Sequence, residues 1–174
     1  MGRRFVGVVG PGGTGPPGGE AAATLAEADA LTEAEALAEE VGRRLAEAGA
    51  VVVCGGLAGV MAAACRGAAT AGGVTVGLLP GEDRAAANPW VAIPVPTGLG
   101  ELRNGLVVRA SDAVVAVGGS YGTLSEVALA LKAGKTVAGL GTWSLVRPDG
   151  GADQGVVPVG SPAEAVEVVL RGWR

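Results

Sequence analysis

Glu126 and Arg103 are the ionisable residues of this sequence whose positions suggest chemistry. The chain contains no histidine, which excludes Ser-His-Asp and Cys-His catalysis and every His-ligated metal site, so an acid or base must be a carboxylate. Glu126 follows the glycine-rich segment Gly118–Thr123, and Arg103 lies at the start of a short helical segment. Each residue has a plainer alternative. Thr123 and Glu126 have the spacing of a capping box, and Arg103 beside Asn104 is equally consistent with a solvated surface charge.

The segment Gly118–Thr123 leads from a Val-rich strand into a helix that extends to Ala133. Glycines allow the backbone to turn sharply, and the N–H groups of the first helical turn then face outward at the positive end of the helix dipole. This arrangement predicts that Gly118–Thr123 forms an anion-binding site, the anion cradle, whose expected ligand is a phosphate. The Thr123 hydroxyl is an additional donor. The segment Gly55–Met61 makes a similar turn from a strand into an Ala-rich helix.

A third glycine-rich turn, Gly10–Gly15, has the G-x-G-x-x-G spacing of a dinucleotide site. That site requires a helix to begin at the third glycine, but here the run 16–19 (Pro-Pro-Gly-Gly) follows. The next strand also ends in Cys54 and glycines and not in an acid that could bind ribose. The sequence therefore favours a flexible, close-packed turn over an NAD site.

Val-rich runs alternate with segments of helical period, which is the pattern of parallel strands joined by crossover helices. The predicted fold is a Rossmann-like, doubly wound parallel sheet in a three-layer α/β/α arrangement. The predicted strands are Phe5–Val9, Ala50–Cys54, Val74–Leu79, Ala113–Val117, Thr136–Leu140 and Val156–Val159. A first helix covers Thr32–Ala48 with a Thr32/Glu35 capping box, although the Ala/Glu-rich residues before Thr32 allow an earlier start; a last helix follows the N-cap Ser161.

Composition limits the class of protein. The 174 residues include 32 Gly and 10 Pro, but 49% are hydrophobic, which excludes disorder. The length of the chain predicts a single domain over residues 1–174. A net charge of -4 argues against nucleic-acid and anionic-membrane partners. Cys54 and Cys65 have no zinc-site spacing and are interpreted as buried, reduced thiols. With no signal peptide or apolar span, the sequence predicts a cytoplasmic protein. It also predicts no metal site and no resident cofactor.

Several of these segments together resemble the LOG (LONELY GUY) family of cytokinin-activating phosphoribohydrolases. The resemblance rests on Gly55–Met61, Arg103-Asn104 and the Gly-Gly-x-x-Gly-Thr-x-x-Glu element of residues 118–126. More closely, these segments resemble the branch that contains the molybdenum cofactor carrier proteins. The family's members are often mislabelled as lysine decarboxylases, a reaction that needs a Schiff-base lysine. Here Lys132 and Lys135 are the only lysines and lie far from the cradle.

The resemblance implies a homodimer, or a dimer of dimers, that cleaves the N-glycosidic bond of a nucleoside 5'-monophosphate. Arg103 and Glu126 take the catalytic positions, since a carboxylate can stabilise positive charge on the ribose and position a water. The predicted phosphate or nucleotide contacts are Gly55, Gly56, Gly59, Met61, Asn104, Gly118, Gly119, Ser120, Tyr121, Gly122 and Thr123.

The chain departs from the hydrolase pattern in two places, because it has Val117 where that pattern has proline and Asn104 where it has lysine. Both departures point to the carrier-like branch. The alternative is therefore a binding protein that holds a phosphorylated cofactor or nucleotide without turnover. Tyr121 and Trp90 are both candidates to stack on the ring of such a ligand, and either can instead pack at a subunit interface.

Overall fold

The computed structural model describes residues 2–13 and 25–173. Within these residues a sheet of seven strands has the order β4-β3-β2-β1-β5-β6-β7, and every neighbouring pair is parallel. The strands are β1 (Phe5–Val9), β2 (Val51–Cys54), β3 (Val74–Leu79), β4 (Ile93–Pro96), β5 (Ala113–Val117), β6 (Thr136–Leu140) and β7 (Val156–Pro158). The helices are α1 (Leu25–Glu47), α2 (Val60–Thr70), α3 (Asn104–Ala110), α4 (Tyr121–Lys132) and α5 (Pro162–Leu170). The doubly wound parallel sheet predicted from the sequence is confirmed.

The core has two apolar layers, one on each face of the sheet. Successive side chains of a strand point to opposite faces, so Val115 packs with α1, α2 and α5 while Val114 packs with α3 and α4. This gives the three-layer α/β/α arrangement. The strand order reverses where β1 lies between β2 and β5, and ligands of such sheets bind beyond the carboxyl ends of the strands at this reversal.

Strand β4 is absent from the sequence prediction. The strand contains Pro94 and Pro96, and proline cannot donate a hydrogen bond to a sheet. It is tolerated here because β4 lies at the edge of the sheet and pairs only with β3.

Of the two starts that the sequence allowed for the first helix, the Thr32/Glu35 capping box is wrong and the earlier start is confirmed, since α1 already contains residues from Leu25 onward. The Thr32 hydroxyl donates a 2.9 Å hydrogen bond to the carbonyl of Ala28 one turn earlier, as in a helix interior. The candidate N-terminal extension at residues 21–24 lies outside the described residues. The last helix agrees with its prediction, because Ser161 accepts a hydrogen bond from the Glu164 N–H and Pro162 is the first helical residue.

Cys54 and Cys65 are buried and free, with their sulfur atoms 3.4 Å apart. The hydrogen bond from Cys65 is the main reason that the pKa of the Cys54 thiol is lowered, and the same bond together with burial raises the pKa of Cys65. Among the residues that the structure describes, no helix has both the length and the apolar character needed to cross a membrane.

Candidate functional site

Arg103 and Glu126 come together at the carboxyl edge of the sheet. Arg103 ends a short 3₁₀ turn, Gly100–Arg103, directly before α3, and Glu126 lies in the second turn of α4. Arg103 Nη1 is 3.9 Å from Glu126 Oε1, and the two residues are 9% and 6% exposed. The sequence alternative of a solvated surface arginine is therefore wrong.

The start of α4 decides whether Glu126 is a capping residue. The helix begins at Tyr121, and the Ser120 Oγ accepts a hydrogen bond from the Thr123 N–H while the Ser120 N–H donates to Thr123 Oγ1 at 3.3 Å. The capping box thus consists of Ser120 and Thr123, and the alternative box of Thr123 and Glu126 is wrong. Glu126 lies one turn too far into the helix to reach the cap.

The Glu126 carboxylate is held in an unusual electrostatic environment. Its only polar partner among the described residues is Arg103, at ion-pair distance and without a hydrogen bond. Burial raises the pKa of Glu126 to about 7, because desolvation disfavours the charged form more strongly than the Arg103 guanidinium favours it. A carboxyl with this pKa can release or accept a proton near neutral pH, which is the property of a general acid or base.

The Arg103 guanidinium is positioned by packing and by one side-chain hydrogen bond. It lies against Gly55, where a Cβ atom would be only 2.5 Å from Arg103 Cζ and 2.7 Å from Nη1. Nη1 donates a 2.5 Å hydrogen bond to Asn104 Oδ1. Nε is buried and has no hydrogen-bond partner among the described residues. Since an unpaired buried donor is costly, the free Nε marks a place where a ligand acceptor would be stabilised.

Asn104 links this arginine to the turn before Glu126. Its Nδ2 donates to Ser125 Oγ at 3.1 Å, and the Ser125 hydroxyl donates to the carbonyl of Gly122 at 2.7 Å. The amide of Asn104 therefore bridges Arg103 and the first turn of α4. Sequence reasoning did not identify Ser125, because its side chain acquires this role only when α3 and α4 pack together.

The predicted cradle Gly118–Thr123 retains only part of its donors. The Gly118 N–H donates to the carbonyl of Leu140 at 3.0 Å, and the Thr123 N–H and hydroxyl are both used in the cap. The N–H groups of Tyr121 and Gly122 have no acceptor among the described residues. The Gly119 N–H likewise has no acceptor among the described residues, so these three amides and the Arg103 guanidinium remain as donors for an anion.

The second predicted turn, Gly55–Met61, is largely occupied by protein. The Val60 N–H at the start of α2 donates to the carbonyl of Pro11 at 3.0 Å, and the Gly56 N–H donates to Cys54 Sγ at 3.3 Å. Gly59 has a φ of 68° and packs against the chain that follows β1. In this structure the turn forms a wall of the site, to which Met61 contributes an apolar side chain. The role of the turn in ligand binding stays a prediction.

A cleft of about 680 Å³ connects these groups. Arg103, Asn104, Glu126 and the cradle residues 120–123 line it together with Met61, Gly12 and Gly13. The described part of the Gly/Pro-rich run after β1 thus lies at the cleft, and residues 14–19 lie outside the described residues. Glu101 and Pro80 also line it, although no sequence motif indicated them.

Comparison with known proteins establishes the relationships of the chain. The model of the SLOG cluster4 family matches residues 3–166. The chain belongs to this family. A curated relative of this SLOG chain is an uncharacterised protein of Archaeoglobus fulgidus, 46% identical over 104 residues that cover 60% of this chain and 68% of the relative.

Two solved structures resemble this SLOG chain over nearly its whole length. The molybdenum cofactor binding protein of the phototrophic bacterium Rippkaea orientalis is 33% identical, with a TM-score of 0.77 and coverage of 97% of this chain and 96% of the other. The molybdenum cofactor carrier protein of Chlamydomonas reinhardtii is 35% identical, with a TM-score of 0.76 and 96% coverage of both chains. The resemblance to the LOG family and its molybdenum cofactor carrier branch is confirmed.

Proposed function

We propose that this protein binds a phosphorylated heterocyclic compound in the Arg103–Glu126 cleft and acts as a carrier of molybdenum cofactor type. The observation that carries the proposal is the buried Arg103 with its unpartnered Nε, beside two unpaired N–H groups at the start of α4. A guanidinium and helix N-terminal amides together form a site for a phosphate. The similarity to cofactor-binding and cofactor-carrying proteins over almost the whole chain supports this choice.

Asn104 supports carriage over hydrolysis. The hydrolases of the LOG resemblance have a second cation at this position, whereas here an uncharged amide bridges Arg103 and Ser125. Arg103 thus provides the cleft with one localised positive charge next to Glu126. In a carrier, this charge retains the phosphate of the cargo and the chain performs no bond cleavage.

Glu126 favours phosphoribohydrolase activity as a second candidate function. With a pKa of about 7, part of the Glu126 population is ionised at neutral pH and can accept a proton from water while Arg103 binds the phosphate. The water oxygen would bond to the ribose carbon as the N-glycosidic bond breaks, and the electron pair of that bond would leave with the base. The carboxylate would stabilise the positive charge that develops on the ribose. The proton that Glu126 accepts from water would then pass to the departing base, so the products would be the free, protonated base and ribose 5-phosphate.

One set of proteins tests both functions. We would measure binding of ribose 5-phosphate and of molybdenum cofactor, and release of free base from a panel of nucleoside monophosphates. The variants are Arg103→Gln, Glu126→Gln and, as a matched control, Arg109→Gln, which removes an exposed arginine from the same helical region.

A carrier would bind both ligands without releasing base, and Arg103→Gln would weaken binding at least about 10-fold while Arg109→Gln would not. Multiple-turnover base release that Glu126→Gln abolishes would establish the hydrolase instead. Equal phosphate binding by wild type and Arg103→Gln would refute the proposed site in either form.

A further inference from the structure

A second cleft of about 700 Å³ lies at the carboxyl ends of β6 and β7, bounded by the loop of residues 141–155. Trp143 lines this second cleft, whereas Tyr121 lines the cleft that contains Arg103. The two aromatic rings have centroids 5.8 Å apart and planes tilted by 34°. This aromatic pair therefore forms the boundary between the two clefts.

Trp143 is fixed on the predicted phosphate turn. Its indole Nε1 donates a 3.1 Å hydrogen bond to the carbonyl of Ser120. The ring also lies on Gly119, where a Cβ atom would be 3.0 Å from Nε1 and 3.2 Å from Cδ1. Because both contacts are made to the backbone of the turn, the position of the indole is tied to the position of the anion cradle.

Tyr121 has the opposite character, since 84% of it is exposed although it is a large aromatic residue. Its backbone N–H is one of the unpaired donors of the cradle, and its ring reaches toward Trp143. An exposed aromatic face beside an anion site is typical of a surface on which a flat ring stacks. The other aromatic candidate, Trp90, lines neither cleft.

We propose that Tyr121 and Trp143 bind the planar heteroaromatic ring of the phosphorylated ligand, a purine-like or pterin-like fused ring. The inference rests on the proposed phosphate site and adds the part of the cleft that recognises the ring. Tyr121 supplies a backbone donor to the phosphate and a side chain to the ring, so the two moieties are held a short linker apart. In the second cleft, the buried Thr142 Oγ1 has no hydrogen-bond partner among the described residues.

Trp143 provides the readout. The chain has three tryptophans, so the double variant Trp90→Phe/Trp173→Phe leaves Trp143 as the only indole. Guanosine 5'-monophosphate and ribose 5-phosphate are then titrated, with affinities from calorimetry and Trp143 fluorescence recorded in parallel. We expect both compounds to bind, the nucleotide more tightly, and only the nucleotide to quench Trp143.

Tyr121→Ala in the same background, compared with Tyr121→Phe, completes the test. Because alanine keeps the backbone N–H of residue 121, loss of the stacking ring is expected to weaken nucleotide binding about 5- to 30-fold more than it weakens ribose 5-phosphate binding, and Tyr121→Phe, which keeps a ring, is expected to restore the affinity for the nucleotide. If the nucleotide binds no more tightly than ribose 5-phosphate, or if Tyr121→Ala binds both as the parent does, the ring site is refuted and the phosphate site stands. If neither compound binds to the parent, the proposed phosphate site itself is refuted, and the ring site with it.

Discussion

Replacing Glu126 by glutamine is expected to change the pH dependence of folding stability in a way that follows from burial. The pKa of Glu126 rises from 4.5 to about 7 in the folded protein, so the folded state binds the proton more tightly than the unfolded state. The free energy of unfolding therefore falls as pH rises through this interval and is constant above it. Glutamine has nearly the same shape but does not titrate.

The magnitude follows from the size of the interval. One pKa unit corresponds to about 1.4 kcal/mol, so ionisation of Glu126 removes about 2 to 3 kcal/mol of stability between about pH 5 and about pH 8. Because the residue is 6% exposed, solvent screening removes little of this value. We expect Glu126→Gln to gain that amount relative to wild type over the same interval. Any cost of burying the amide is the same at both pH values and cancels.

The assay is urea unfolding followed by far-UV circular dichroism at the two pH values, in buffers without phosphate. The matched control is Glu101→Gln, which removes an exposed carboxylate from the same cleft. If the stability gained by Glu126→Gln between the two pH values is no larger than that of the control, the Glu126 carboxyl is hydrated in solution and its assignment as a neutral-pH acid or base is refuted.

Other variants test the supports of the site. Gly55→Ala places a Cβ against the Arg103 guanidinium and is expected to weaken ribose 5-phosphate binding about 10-fold in calorimetry, whereas Gly105→Ala, with nothing within 4 Å, is not. Ser120→Ala removes the N-cap of α4 and is expected to cost about 1 kcal/mol in urea unfolding. The resemblance to a homodimeric family predicts that sedimentation of the wild type returns a multiple of 16.8 kDa. Leu102 is 80% exposed, and Leu102→Glu is expected to lower the sedimentation mass. A monomeric wild type contradicts the expected dimer.

The sequence alone determined the α/β class and most of the strands. All six predicted strands begin and end within one residue of their observed limits because a buried parallel strand is a short, uninterrupted apolar run, as in Ala113–Val117. The N-terminal cap of α5 was equally predictable from the sequence, since the capping residues Ser161, Pro162 and Glu164 lie within one helical turn of each other. Such features depend on neighbouring residues and on a local period, so they are present in the linear sequence.

The remaining features depended on contacts between distant segments. Strand β4 forms because it pairs with β3 at the edge of the sheet, where prolines are tolerated. Residue spacing alone allowed Glu126 to be a capping residue and Arg103 a surface charge. Packing of α3 against α4 buried both residues, and the carboxyl ends of the strands placed Gly55 beneath the arginine. Burial and pKa are properties of this assembled environment, which is why only the tertiary structure decided that the two side chains face each other in one cleft.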